Sequence, residues 1–301
     1  MQPLLSIVIA NYNYGRFLDE AIQSVIAQDM GDKVELIIVD GGSIDNSVEI
    51  IKKYANGLPP NISYTDWINS SNHNSQTPPL ITWWCSEKDG GQSDAFNKGF
   101  AHARGRFLTW LNADDVMLPG AIGKLKQAAD RYPKCEWFVG GVLWLDPQMR
   151  ILNCGRGRPF SEIRYREGNV SVWGPSSFFT KRLIDAVGGV DVRFHYTMDT
   201  DLWLRFACKA NARYRPFCDY AWGLRLHPAA KMSRHNFLAV MDAQQMKAEE
   251  QKQRENEWRK EYFVPRASGL FSRLLSVSWR QVLMAKFDLW RYRGKHYLEF
   301  F

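Results

Sequence analysis

The stretch LLSIVIANYNYGRFLDEAIQSVIAQDMGDKVELIIVD (residues 4–40) decides the fold class. It opens on an apolar, β-branched-rich run, Leu4–Ala10. Leu18, Ala21, Ile22, Val25 and Ile26 then recur at helical spacing, and Val34–Val39 is a second apolar run closed by Asp40. Strand, amphipathic helix and strand in that order write a parallel pair with a crossover helix. The pattern continues outward. Ser43, Asp45 and Asn46 offer N-caps ahead of Val48, Ile51, Tyr54 and Ala55, and Ile81–Ser86 and Phe107–Leu111 are further strand runs. The expected class is α/β: a Rossmann-like mixed sheet flanked by helices, with ligands where the strands end.

Beyond this core the text changes. Between Gly57 and Thr82 lie Pro59-Pro60, a polar run over 69–75 and Pro78-Pro79, a long loop that is either functional or mobile. From Cys135, the short runs Trp137–Leu145 and Arg150–Cys154 predict an antiparallel edge to the sheet. After His235 the chain reads as helix to its end. That divides it into a body over roughly 1–235, in halves 1–115 and 116–235, and a helical, basic C-terminal tail over 236–301.

With 301 residues and 45% hydrophobic content the chain can bury a full core, which argues against disorder. Cys85, Cys135, Cys154, Cys208 and Cys218 form neither a CxxC pair nor a zinc spacing, and read as reduced thiols of a cytoplasmic protein. The start lacks the basic segment of a signal peptide, and nowhere do 18 apolar residues run together, so no transmembrane helix is expected. The net charge of +7 is uneven. Residues 251–301 hold eleven Lys and Arg against five Asp and Glu, so six of the seven charges lie there.

Acidic residues recur at or beyond the carboxyl ends of the expected strands: Asp40, Asp89, Asp114 and Asp115. One such Asp, followed by glycines and serine, is as easily a turn or a helix cap. Four at three strand ends of one sheet point to a cation or donor groups, because clustered like charges are costly without them.

Five segments carry a resemblance. SIVIANYNYG (6–15), IVDGGSID (38–45), SEKDGGQSDAFNKG (86–99), LNADD (111–115) and MDTDLWLR (198–205) are similar, in order and spacing, to the signature of the family 2 glycosyltransferases. The resemblance spans about two thirds of the chain. It implies a GT-A type fold whose first half binds a nucleotide sugar and whose second half binds the acceptor. The implied activity is inverting transfer of a sugar from a nucleoside diphosphate, UDP before GDP or TDP, to an acceptor hydroxyl. A glycan or lipid-linked sugar is the implied acceptor, in polysaccharide or glycolipid assembly.

The same resemblance implies that Tyr12 packs on the base while Asp40 and Asp89 bond base or ribose. An aromatic face and carboxylate acceptors suit those tasks; Tyr12 as a helix-entry staple is the competing reading. The family often carries a second acid where this chain has Gly41. Asn112-Ala113-Asp114 falls on the family's Asp-x-Asp metal motif, with Asn in first place. Asp114 is the implied ligand of Mn²⁺ or Mg²⁺, which take oxygen donors and bridge diphosphate oxygens. Asn112 and Asp115 flank the sugar nucleotide, unless Asp115 caps the helix expected from Pro119. Asp199 takes the place of the catalytic base, in a segment that usually reads Glu-Asp and here reads Met198-Asp199; Asp201 is the bracing acid of the same helix. His227 is either a metal ligand or a structural histidine, with Arg225 and Lys231 as nearby candidates for diphosphate contacts. Trp173 is the acceptor-site candidate, whereas Trp110, Trp137 and Trp144 read as core.

In the tail, Phe271, Leu275, Trp279, Leu283, Phe287 and Trp290 recur at helical spacing among Arg273, Arg280, Lys286, Arg291 and Arg293. That helix either packs on the body or lies on an anionic membrane surface, which would place the protein peripherally on the inner face. Two rival functions stay open. A nucleotidyltransferase would want a basic Gly-rich loop after the first strand, which Asn11–Gly15 lacks. A non-catalytic sugar-nucleotide-binding protein is favoured by Asn112 and Met198. No nucleic-acid motif accompanies the basic tail.

Overall fold

The computed structural model describes residues 2–28, 33–55, 81–158, 160, 172–195, 197–231 and 279–300. Strand β1 (Leu5–Asn11) pairs in parallel with β2 (Val34–Asp40) and with β4 (Phe107–Asn112), and β2 pairs in parallel with β3 (Ile81–Ser86). Helices α1 (Gly15–Ile26), α2 (Ser47–Ala55) and α3 (Gln92–His102) make the crossovers. Strands of such a sheet are covered on both faces. Leu5, Ile7 and Ile9 accordingly enter one core with Leu18, Ile22 and Ile51, and Val8, Ile37 and Val39 enter another with Phe96 and Phe100. The α1 stripe expected from the sequence buries Leu18, Ala21, Ile22 and Val25.

The second half adds β5 (Val116–Met117), α4 (Ala121–Arg131), β6 (Trp137–Leu145), β7 (Ile151–Gly155), β8 (Ser177–Thr180), α5 (Lys181–Val187), α6 (Met198–Cys208) and β9 (Tyr214–Arg225). One nine-stranded sheet results, in the order β3-β2-β1-β4-β8-β6-β9-β5, with β7 beside β6. The expected antiparallel edge is present in β4 with β8, β6 with β8 and β7, and β5 with β9; β6 and β9, however, run parallel. Trp110 and Trp137 are core, each stacked on buried Trp203 at ring-centroid distances of 5.4 and 5.3 Å. Trp144 is only partly buried.

The tail differs from a helix running to the chain's end. Helix α7 (Trp279–Tyr292) stops before Gly294, whose φ of 83° suits glycine, and the chain turns back so that Gly294 N–H donates to Ile151 O and Ile151 N–H to Lys295 O. Asp288 on α7 accepts from Arg156 Nε (2.9 Å) and Nη2 (2.6 Å) and from Tyr220 Oη (2.7 Å). The packing role is therefore present, while Phe287 and Trp290 on α7 stay 56% and 80% exposed. Phe271, Leu275 and the 56–80 loop lie outside the described residues. Among the described residues Cys85, Cys135, Cys154 and Cys208 are not in disulfides. No described helix is long and apolar enough to cross a membrane.

Candidate active site

The carboxyl ends of β1, β2, β3 and β4 converge, and the acidic residues read from the sequence divide there into two layers. Asp40 is fully buried: its carboxylate accepts from Asn11 Nδ2 (2.6 Å), Ser86 Oγ (2.6 Å), Ser43 N–H (2.9 Å) and Ser43 Oγ (2.5 Å). Its oxygens are thus engaged within the chain, and it fixes the polar rim of Asn11 and Ser43. Asp89 lies nearer the surface, held by Gly91 N–H at 2.8 Å, and partial burial pushes its pKa up. A Cβ at Gly41 would meet Asp89 Oδ2 at 3.0 Å, so the place of the family's usual second acid is backed by the Asp89 carboxylate itself. Tyr12 is 61% exposed, leaving ring surface open to a planar ligand.

Just beyond β4, Asp114 and His227 face each other, Nε2 to Oδ2 at 3.1 Å, although they stand 113 positions apart in sequence. His227 is buried beside Phe17 (4.5 Å between ring centroids), and its Nδ1 has no partner among the described residues. Among the described residues no cluster of three or more His, Cys, Asp or Glu could hold a metal. Two protein donors still fit a hard divalent ion that takes its other ligands from a diphosphate and water. Donors about 2.1 Å from an octahedral ion lie about 3 Å apart when adjacent, which agrees with the Asp114–His227 spacing.

Asp115 turns inward. It is 1% exposed and accepts from Arg225 N–H (2.9 Å) and Asn112 Nδ2 (2.7 Å), so it ties the turn after β4 to β9 instead of touching the cleft. Burial, then the charge of Asp114, raise its pKa well above the usual carboxylate range. Nor does it cap the next helix, because α4 begins at Ala121 behind Gly120. The Arg225 guanidinium is likewise buried, ion-paired with Glu20 and lying over Phe17 at 4.8 Å, which removes it from the diphosphate candidates.

Asp199 stands in the first turn of α6, where the helix N-terminus favours its charged form. Its Oδ1 accepts from Thr200 N–H (2.7 Å), and burial raises its pKa. Asp201 braces the helix as expected, pairing with Arg205 at 2.6 Å. Ser93 Oγ meets Met198 Sδ at 3.1 Å and joins the starts of α3 and α6. Lys231 Nζ donates to Gln92 Oε1 (2.9 Å) and to His195 O. Burial lowers the Lys231 pKa to about 8, against the opposing pull of Asp199. His195 is lowered to about 4 by burial and by the charge of Lys231.

Trp173 is not joined to these groups. It packs edge-on against Trp144 (5.9 Å between ring centroids) over Gly155. Sequence reasoning missed Gln92, Asn11 and Tyr14, all within the quoted segments. The Tyr14 hydroxyl, kept protonated by burial with its pKa raised to about 12, donates to Ala229 O at 2.8 Å and pins the segment that carries His227 and Lys231.

The chain matches a family model described as Glycosyl transferase family 2 over residues 6–142. An uncharacterized glycosyltransferase of Mycobacterium tuberculosis is 30% identical to it over 210 residues, covering 68% of this chain and 69% of that one. Among solved structures, Staphylococcus aureus TarS 1–349 in complex with UDP-GlcNAc superposes with a TM-score of 0.54 at 17% identity, over 96% of this chain and 81% of that one. A mannosyltransferase of Pyrobaculum calidifontis in complex with GDP-Man and Mn²⁺ gives 0.52 at 16% identity, over 79% of this chain and 60% of that one. Of a further TarS 1–349 structure the chain also spans 60%. The nine-stranded sheet is of the GT-A type.

Proposed function

The chain belongs to glycosyl transferase family 2, and from that premise we propose that it moves a sugar from a nucleoside-diphosphate sugar to an acceptor hydroxyl in one inverting displacement. The observation that carries this is the facing of Asp114 and His227 at 3.1 Å, beside a separate set of hydrogen bonds that holds Lys231, whose charge acts on Asp199. The Tyr12 ring, the Asn11–Ser43 rim and Asp89 receive the nucleotide, with Asp40 setting the rim. Asp114 and His227 hold Mn²⁺ or Mg²⁺; bound there, the ion would neutralise charge on the diphosphate leaving group. Lys231 offers a further cation to the same oxygens. Asp199 takes the proton of the acceptor hydroxyl as its oxygen attacks; burial raises its pKa, which strengthens it as a base. The complexes of the two solved relatives with UDP-GlcNAc and with GDP-Man and Mn²⁺ support a nucleotide sugar and a divalent ion here. The acceptor is a glycan or lipid-linked sugar.

The experiment is a panel of UDP- and GDP-sugars with Mn²⁺ or chelator, scored for hydrolysis or transfer and for the anomeric form of the product. Metal-dependent turnover with inverted product supports the reading; metal-independent turnover, or retention of configuration, refutes it.

The exposed Phe287 and Trp290, beside Lys286 and Arg291, support a second property: contact of α7 with an anionic membrane surface at the side opposite its anchor on Asp288. Phe287→Ser with Trp290→Ser should lower sedimentation with phosphatidylserine vesicles and leave nucleotide affinity unchanged; equal sedimentation refutes it.

A further inference from the structure

Four side chains form one directional chain across the centre. Lys231 Nζ donates to Gln92 Oε1 (2.9 Å), Gln92 Nε2 donates to Asn112 Oδ1 (2.9 Å), and Asn112 Nδ2 donates to Asp115 Oδ2 (2.7 Å). Asp115 Oδ1 in turn accepts the Arg225 N–H at 2.9 Å, so the chain ends on β9, six residues before the Lys231 at which it began. The loop crosses α3, the turn after β4 and the last strand. The observed links share one polarity: a cation donates to the first of two amides, each amide both accepts and donates, and both oxygens of Asp115 accept.

We propose that Gln92 is a positioning residue that couples the two sides of the reaction centre, holding Lys231 against the turn that presents Asp114, and that Asn112 is an amide because this chain needs a donor there. The proposal rests on the transferase reading for its consequence, but not for its geometry. An Asp at 112, the acid usual in the family's motif, could still accept from Gln92. Toward Asp115 it would present a carboxyl group where the amide now donates, so the geometry of the Asn112 Nδ2 to Asp115 Oδ2 link is lost and the two acids can bond only by sharing a proton. Restoring the usual acid should therefore damage the site. Exchanging the partners should repair it: in the double variant Asn112→Asp with Asp115→Asn, the new amide at 115 donates to the new carboxylate at 112 and still accepts from Arg225 N–H.

The parent, Gln92→Met, Asn112→Asp and the double variant would be compared by two readouts. One is calorimetric titration with UDP in the presence of Mn²⁺. The other is the rate at which acetic anhydride acetylates Lys231, followed by mass spectrometry, which reports how firmly the ammonium is held whether or not the enzyme turns over. Both single variants should bind UDP about tenfold more weakly, the scale of one lost positioned hydrogen bond, and acetylate severalfold faster at Lys231. The exchanged pair should return both values to within about threefold of the parent. Parental values in both single variants overturn the coupling, as does an exchanged pair no better than Asn112→Asp alone. Should Asn112→Asp fail to fold, Gln92→Met, which replaces only a partly buried amide, decides the matter. A parent that binds neither UDP nor GDP refutes the transferase reading, and Lys231 acetylation still decides the coupling.

Discussion

Lys231→Met removes a cation that the fold holds at some cost, and pH exposes that cost. The ammonium has its pKa lowered from 10.5 to about 8, chiefly by burial. Below pH 8 it is protonated in both folded and unfolded chains, and the folded state bears the full penalty. Between 8 and 10.5 the unfolded chain binds the proton more strongly, so parental stability rises with pH across that window. At about 1.4 kcal/mol per pH unit the ceiling over the whole window is about 3.5 kcal/mol; Lys231 is only partly buried by exposed area, which brings the gain expected by pH 10 nearer 2 kcal/mol. His195, whose pKa burial lowers to about 4, titrates well below the window, and the charge of Asp199 opposes the lowering of Lys231. Urea denaturation of parent and variant at pH 7, 8, 9 and 10 isolates the effect, because other groups cancel in the difference. Parental stability relative to Lys231→Met should grow by about 2 kcal/mol from pH 7 to 10; a difference flat within 0.5 kcal/mol (about the error of such a comparison) would refute the reasoning.

Asp199→Asn should lower transfer by about 10²–10⁴-fold while calorimetric donor affinity stays near parental; a variant that keeps most of its rate removes Asp199 as the base. Asp114→Asn should abolish the Mn²⁺ dependence of UDP binding, and unaltered dependence would move the ion elsewhere. Asp288→Ala removes the carboxylate that buried Arg156 and the Tyr220 hydroxyl both bond and should cost about 3 kcal/mol in thermal or urea unfolding, whereas Arg156→Met with Asp288→Leu should recover most of that; equal loss in both would show that the pair itself is not what holds α7.

The parallel half of the sheet was legible because period and length agree there: runs buried on both faces alternate with amphipathic helices that show a clean stripe. The motifs likewise placed Asp114 and Asp199, since each stands at an element end that the text marks. What escaped was depth. Nothing in the local sequence separates Asp40 and Asp115, whose oxygens are filled by the chain, from Asp89 and Asp114, which face outward; that depends on Ser86 and on the Arg225 amide, 46 and 110 residues away. The parallel run of β9 beside β6 was hidden for the same reason, as register between distant strands has no local signal. Trp173, chosen for its neighbouring turn, packs on Trp144, a partner the sequence does not announce.

The placement of β9 also sets an order of assembly. It lies between β6 and β5, and with the residues just after it supplies the Arg225 amide for Asp115, the imidazole for Asp114 and the amine for Gln92. Contacts so far apart in sequence form late, because loop closure opposes them until the rest of the sheet exists. During synthesis the four parallel strands β1–β4 can close their core while the turn at 112–115 still lacks its brace. The partners of Asp115, Asp114 and Gln92 therefore arrive with residues 225–231, and a ribosome-bound chain ending before them has the sheet's parallel half without these contacts.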